Sequence, residues 1–395
     1  MRNLLALLLC GLPWVIYPQT NPEVYLVDIN KGGDSLLFNK PMNISNNEGY
    51  DNQPSFFDDD HLLYASNRKG QTDIKKYKIK NGNSSWQSDT PHGSEYSPLR
   101  IKGTDQISAI RLDHDGTQLL YRYTNNQEIP EVLLGNLKVG YHLWFNDHIL
   151  VTTVLTGEGM DLVVTNFKDN RNYTVQKNVG RSLHKIPNSN LISFISKEKE
   201  LWTIKSMDPV SGATKEITRT YLFKEDVCWL NDGSLLTGFG NKLYRFHPEI
   251  DKNWRLAHVF DNMDIHMISR LAVNSNTTQL ALVADISPEV VVYKQIAAFN
   301  ARDIESYLDT FTDDIKVYGY GGLRLYQGKD MLRKEFTEYF NSNPDLDYSI
   351  KDKIVMDNKV HHEAMITAAR TTVKKTFMYT VVNGKIASLM LYVEP

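Results

Sequence analysis

From Gln53 to Asp285 the chain alternates short apolar runs with polar turn clusters, as strands joined by tight turns do. The clearest stretch reads Gln53-Pro54-Ser55-Phe56-Phe57, then the acidic turn Asp58-Asp59-Asp60. His61-Leu62-Leu63-Tyr64-Ala65-Ser66 follows, then Asn67-Arg68-Lys69-Gly70 and Gln71-Thr72-Asp73-Ile74. Strand, acidic turn, strand, glycine turn, strand is one unit. Variants recur at roughly 40-residue intervals, the period of a four-stranded propeller blade. The first unit spans Gly49 to Trp86. The second uses Ile107 to Asp113 as its inner strand and turns at Asp113-His114-Asp115-Gly116. Units beginning at Tyr141, Leu183 and Asp226 complete the regular series. Two strands are left at the end, Ile268 to Val273 and Leu280 to Asp285, and two at the start, Val24 to Ile29 and Ser35 to Phe38. Pairing the two ends closes a sixth blade and removes exposed sheet edges. The expected architecture over 20–286 is an all-β six-bladed propeller, with seven blades the alternative count.

At Ser287 the period changes. Ser287-Pro288-Glu289 has the N-cap, first-turn proline and early acid of a helix start. The pattern predicts a helix to Asn300, a second capped by Asp303 and running through Phe311, and strands at Ile315–Tyr320 and Leu323–Tyr326. A third helix is expected over Asp330–Phe340, then strands at Tyr348–Met356, Val360–Thr367, Val373–Val382 and Ile386–Val393. Asn383-Gly384 is a strong hairpin signal. Helices followed by an antiparallel sheet predict an α+β domain over 287–395, shaped as a cone around an apolar pocket.

Composition narrows the context. The chain has 395 residues, 41% hydrophobic and 23% charged, with net charge −3, ordinary for a globular chain of two domains. That balance lacks the basic stripe of a nucleic-acid binder. Met1-Arg2-Asn3, then Leu4 to Leu9 and Trp14 to Tyr17, read as a signal peptide over 1–19. The expected destination is periplasmic or extracellular, although no alanine marks the cleavage site. No other run is long enough to span a membrane. Removing the leader takes Cys10 and leaves Cys228, expected as a buried thiol in Val227-Cys228-Trp229-Leu230. Sequons at Asn43, Asn83, Asn172 and Asn276 matter only in a eukaryotic secretory pathway.

Asn52-Gln53-Pro54-Ser55-Phe56 and Ser66-Asn67-Arg68-Lys69-Gly70-Gln71-Thr72-Asp73-Ile74 resemble the WD40-like repeats of TolB-like propellers. The usual Ser-Pro-Asp-Gly turn is replaced by Phe57-Asp58-Asp59-Asp60. The resemblance implies a fold and not an activity, because propellers host binding and catalysis alike. Asp58, Asp59 and Asp60 offer oxygens that suit calcium, but such residues also stabilise turns through their own side chains, which is the expected role. Residues at or before the inner strands are expected to crowd the channel mouth: Asn52, Glu95, Tyr96, His142, Arg181, His184, Asp226 and Arg270. They suit a polar ligand or a metal, and equally the hydration of a channel. No metal or cofactor is assigned.

In the C-terminal region, Ala298-Phe299-Asn300-Ala301-Arg302-Asp303, Phe311-Thr312-Asp313-Asp314, Tyr326-Gln327-Gly328-Lys329 and Asn383-Gly384-Lys385-Ile386 resemble the SnoaL-like branch of the nuclear transport factor 2-like superfamily. The resemblance implies a cone-shaped domain that pairs through its sheet, in a superfamily of polyketide cyclases, ketosteroid isomerases, dehydratases and proteins without a known reaction. Isomerase chemistry needs a carboxylate base and acidic donors. Those positions fall on Gly319, Gln295 and Met378, so that mechanism is not expected. Alternation puts His362 on the face of Val360, Ala364 and Ile366, as a general base or ligand contact if that face lines the pocket. Gln295, Tyr307 and Tyr379 are the other expected pocket groups. Tyr318 and Tyr320 are assigned to sheet packing or a dimer interface.

No Walker loop, dinucleotide glycine fingerprint, His-Glu-x-x-His or Gly-x-Ser-x-Gly motif occurs. The leading expectation is an exported binding or scaffold protein. Its propeller would face a protein or glycan, and its pocket would hold a small apolar ligand or mediate homodimerisation. The alternatives are a cyclase- or hydratase-type pocket enzyme using His362 and a propeller lyase or hydrolase using Glu95, His142 and His184.

Overall fold

The computed structural model describes residues 21–32, 35–124, 129–157, 159–261 and 264–392. The expected leader at 1–19, with Cys10, lies outside the described residues.

Among the described residues, Pro22 to Asp285 forms six antiparallel sheets. Five run in simple chain order with four strands each, as in Asp51–Asp58, His61–Arg68, Gln71–Lys78 and Ser84–Trp86. The sixth joins the two ends of this region. Pro22–Gly32 pairs antiparallel with Gln279–Asp285, Val24 opposite Val283 and Leu26 opposite Ala281. Gln279–Asp285 in turn pairs with Met267–Val273.

Each sheet shares a hydrophobic core with the next. Odd-numbered residues Tyr25, Val27 and Ile29 join Leu230, Leu236 and Phe260 of the preceding sheet. Even-numbered Val24 and Leu26 join Leu62, Tyr64 and Tyr77 of the following one. Side chains alternate across a strand, so a strand buried on both faces serves two cores, and Val24 to Val27 are at most 4% exposed. The same sharing continues around the region. Leu63 and Ile74 meet Ala109, Leu120 meets Leu150, Val151 meets Phe194, and Ile204 meets Leu235. Cys228 is buried in the core that receives Tyr25.

Polar devices repeat with the sheets. Trp144 donates from Nε1 to Ser108 Oγ at 2.9 Å, and Trp229 donates to Ser193 Oγ at 2.8 Å. Each indole crosses 36 residues back to the preceding sheet. Asp51-Asn52-Gln53-Pro54 and Glu95-Tyr96-Ser97-Pro98 form matching bulges. The pairing register slips between Asn52 and Ser55 and between Tyr96 and Leu99. Gln53 and Ser97 adopt positive φ of 56° and 51°, and Gln53 Oε1 accepts from the Ser97 amide at 2.8 Å. The acidic turn is used as a turn. Asp58 Oδ1 accepts from the Asp60 amide and meets His61 Nδ1, each at 2.9 Å, while Asp59 accepts from Ser275.

After Asp285 three residues lead into helix α1 (Glu289–Ala301). The Val290 amide donates to the Ser287 carbonyl at 3.0 Å, at the predicted start. Asp303 caps α2 (Ile304–Asp309), accepting from the Ser306 amide at 3.1 Å. This helix is shorter than expected. Phe311 instead begins a strand, Phe311–Tyr318, that pairs parallel with Lys385–Tyr392, and the Ile386 amide donates to the Thr310 carbonyl at 2.8 Å. The strand also ends early, because Tyr320–Gly322 forms a 3-10 turn with Gly321 and Gly322 at positive φ. Helix α3 spans Lys329–Ser342. A six-stranded sheet completes the domain, ordered Arg324–Gln327, Phe311–Tyr318, Lys385–Tyr392, Thr371–Val382, Lys359–Ala368 and Asp347–Met356. The three helices pack their apolar sides on this sheet.

Two buried acids make the first sheets sensitive to pH. Asp51 accepts from Ser66 Oγ and Asn47 Nδ2, and Glu95 accepts from Ser88 Oγ at 2.9 Å and Tyr123 OH at 3.1 Å. Burial outweighs these hydrogen bonds and pushes both carboxyls up to about 7. A folded-state pKa above the unfolded one favours folding while the group is protonated. Stability is full below the ordinary carboxylate range and declines as pH rises toward 7. Asp51→Asn and Glu95→Gln remove the penalty. Each is expected to raise stability relative to the parent at pH 8 by about 2 kcal/mol more than at pH 5. Thermal unfolding of both variants at the two pH values checks this, and equal differences at both would count against it.

Candidate ligand-binding site

The C-terminal domain holds a half-open cavity of about 270 Å3 between its helices and its sheet. Four-residue spacing on α1 places Val291, Gln295 and Phe299 on its buried side. Gln295 and Phe299 line the cavity. Helix α2 brings Tyr307, and α3 brings Phe336 and Tyr339. Alternation along the strands turns Tyr348, Phe377 and Tyr379 inward, and Val317 and Leu389 complete the apolar wall. Glu335 and Lys375 are the charged residues of the lining.

The polar groups gather at one side. Tyr348 OH and Tyr379 OH are 3.2 Å apart, and Tyr379 OH donates to Gln295 Oε1 at 3.5 Å. Tyr307 is 1% exposed beside them, its ring 4.8 Å from that of Phe336. Burial drives the phenols of Tyr307, Tyr348 and Tyr379 well above their ordinary range. All three are neutral hydroxyls at physiological pH. Together with an amide they offer a ligand donors and acceptors but no charge.

The expected pocket residues Gln295, Tyr307 and Tyr379 are therefore brought together. His362 is not. It does share a buried face with Val360, Ala364 and Ile366, yet it does not line the cavity. Its ring lies between Tyr293 of α1, at 6.3 Å, and Tyr379, at 5.5 Å. Neither ring nitrogen has a hydrogen-bond partner. Burial lowers its pKa to about 4 against the opposing pull of Glu289. The expected contact between His362 and a pocket ligand is corrected, because α1 and Tyr379 cover that stretch of the face. Tyr348, Phe336 and Tyr339 were not anticipated. The alternation of Leu346, Tyr348 and Ile350 is the signal for the first, and the spacing of Leu332, Phe336 and Phe340 on α3 for the aromatic wall. Gly319 ends its strand, its amide donating to the Leu323 carbonyl at 2.8 Å.

The expected channel-mouth residues divide. His142, Arg181, His184, Asp226 and Arg270 line one cavity of about 110 Å3. Asn52, Glu95 and Tyr96 do not line it. Asn52 Oδ1 accepts from the next amide at 2.8 Å, and Tyr96 packs edge-on to Tyr50. Glu95 is held away from that cavity by Ser88 and Tyr123. His142 Nε2 lies 2.8 Å from Ser108 Oγ, and burial lowers its pKa to about 3. Burial lowers that of His184 too, against the charge of Asp226. Among the described residues, no group of three or more His, Cys, Asp or Glu side chains is arranged to hold a metal.

Residues 292–389 match the family model described as SnoaL-like domain. The C-terminal domain is SnoaL-like. No curated protein matches the chain. Solved structures similar to the SnoaL-like domain include an NTF2-like protein of unknown function from Cytophaga hutchinsonii, 18% identical. It covers 28% of this chain and 94% of its own, with a TM-score of 0.25. An NTF-2 like protein of unknown function from Burkholderia xenovorans is 16% identical and covers 27% of this chain and 84% of its own, with a TM-score of 0.25. RV0760c from Mycobacterium tuberculosis, in complex with estradiol-17beta-hemisuccinate, is 18% identical and covers 27% and 95%, with a TM-score of 0.26. Among the described residues, no helix is long and apolar enough to cross a membrane.

The unpartnered His362 generates a prediction for the SnoaL-like domain. Its folded pKa lies below the unfolded value, so its contribution is full above about 6.5 and is lost as pH falls toward 4. His362→Leu removes both a buried polar ring and that liability. The variant is expected to match or exceed the parent at pH 7.5 and to gain on it by about 2 kcal/mol at pH 4.5. Denaturant unfolding at the two pH values measures the difference. A marked loss at pH 7.5 would mean that the ring has a stabilising partner.

Proposed function

We propose that the protein is an exported ligand-binding protein, in which a six-bladed propeller carries a SnoaL-like pocket domain. Six sheets that share cores in succession, the last with the first, support the propeller reading. The leader-like residues at 1–19 support export. The propeller would serve as a platform for a protein or glycan, and the SnoaL-like sheet as a site of pairing with a second copy. The cavity carries the functional reading. A wall of Phe299, Phe336, Tyr339 and Phe377 surrounds neutral polar groups from Gln295, Tyr307, Tyr348 and Tyr379. That combination suits a small, largely apolar molecule with one hydroxyl, carbonyl or protonated acid group.

The same observation weighs against cyclase or hydratase chemistry. General acid–base catalysis is most effective with a group that titrates near the working pH. The buried polar groups of the cavity are phenols raised by burial and an amide, and His362 lies behind Tyr379.

The test is a thermal-shift screen of the full-length protein with small apolar acids and lactones. Ligands that occupy the cavity stabilise it in proportion to the logarithm of their excess. Tyr379→Phe is expected to weaken such ligands about fivefold, the value of one hydrogen bond. Phe336→Trp, which fills the cavity, is expected to abolish the shift. Hits indifferent to both substitutions, or a screen without hits, would remove this cavity as the binding site.

A further inference from the structure

The small cavity among the first six sheets has a charge problem that the pocket domain does not address. Arg181 and Arg270 stand together there, with Asp226 between them. Asp226 Oδ2 lies 3.3 Å from Arg270 Nη1 and 3.7 Å from Arg181 Nε. Its Oδ1 is already taken by the Leu271 amide at 2.8 Å. Glu225 meets Lys197 in direct contact and reaches Arg181 only at 3.9 Å. Lys224 lines the neighbouring cavity, of about 100 Å3, which also contains Arg181, Asp226 and Arg270. Three cationic side chains, Arg181, Arg270 and Lys224, thus face Asp226, while Glu225 is largely engaged by Lys197.

The donors are unevenly used. Arg181 donates from Nη2 to the Ser269 carbonyl at 2.9 Å, while its Nε is buried without a hydrogen-bond acceptor. Arg270 donates from Nη2 to Tyr141 OH at 3.2 Å. Loss of water, and after it the charge of Arg270, lowers the pKa of Arg181, and burial, with a smaller push from Arg181, lowers that of Lys224. Tyr50 lies close enough to feel both arginines. His142 and His184 are held neutral by burial and add no compensating charge of either sign. A desolvated excess of positive charge with unused donors is costly unless an anion completes it. Guanidinium groups present paired N–H donors that match a carboxylate.

We infer that the Arg181–Arg270 cavity is an anion site that takes a carboxylate group, with phenols such as Tyr141 beside it. At about 110 Å3 it holds a carboxylate head with a short chain, and not a larger molecule. The carboxylate comes either from a small free acid or from the C-terminus of a peptide that enters the channel. This site is separate from the SnoaL-like cavity and does not rest on that reading.

The experiment is calorimetric titration of the full-length protein at constant ionic strength, with acetate in one arm and an acetylated tripeptide with a free C-terminus in the other. The amidated tripeptide is the control. At least one carboxylate is expected to bind, and binding is expected to fall tenfold or more in Arg181→Gln and severalfold in Lys224→Gln. The second variant is half-exposed and keeps the test alive if the first does not fold. The tighter arm identifies the source. Binding in neither arm, equal binding of the amidated peptide, or binding unchanged in both variants would overturn the assignment.

Discussion

The pairing of Pro22–Gly32 with Gln279–Asp285 is the constraint on which the rest of the molecule depends. The strand from the start of the described chain is buried on both faces, and each face completes a different core. Without it the last sheet would keep Met267–Val273 and Gln279–Asp285 with an open apolar edge. The two partners lie about 250 residues apart in the chain. Loop-closure entropy makes such a contact late in folding, after the local hairpins have formed. The same pairing fixes where the chain leaves this region, because only Ile286, Ser287 and Pro288 separate its last residue from α1. A cleft of about 470 Å3 lies at that junction, where His266 Nε2 approaches the Asp357 carbonyl at 3.2 Å.

Buried polarity is handled in three ways. Hydroxyls and indoles form hydrogen-bonded pairs that repeat along the chain, as Trp144 with Ser108 and Trp229 with Ser193 do. Burial shifts other titratable groups toward their neutral forms, including Asp51, Glu95, His142 and His362. The acids and the histidines oppose one another across mildly acidic pH, since burial raises the first pair and lowers the second. Charge is retained in ion pairs, as around Arg181 and Arg270, where carboxylates partly compensate it. Guanidinium groups and a carboxylate line that cavity, whereas the buried polar groups of the SnoaL-like cavity are phenols and an amide.

Local chemistry and periodicity were legible from the residues. Most strands between Gln53 and Phe260, the helix start at Ser287, the cap at Asp303 and the inward placement of Gln295, Tyr307 and Tyr379 each follow from a short-range rule. Ile107–Asp113, expected as the inner strand of its unit, is instead the second strand of its sheet, after Gly93–Arg100. The end of α2 was not legible. Tyr307 to Phe311 is compatible with another helical turn, and the parallel pairing with Lys385–Tyr392, more than seventy residues later, overrides that preference. The alternation of Leu346, Tyr348 and Ile350 marks Tyr348 as inward, but its meeting with the Tyr379 hydroxyl depends on the pairing of strands across the sheet.

The sequence by itself determined the repeat, the change of pattern at Ser287 and the face on which each strand residue lies, because these depend on backbone geometry over a few residues. Tertiary structure alone decided which inward residues share a space. His362 and Tyr379 are both buried on adjacent strands, yet the packing of α1 admits one to the cavity and seals off the other. Among the eight polar residues expected at the channel mouth, packing between sheets set Arg181 beside Arg270 and withdrew Glu95 to Ser88 and Tyr123. A pattern specifies a direction from the backbone. A site requires that several directions converge, and convergence is set by how distant elements pack.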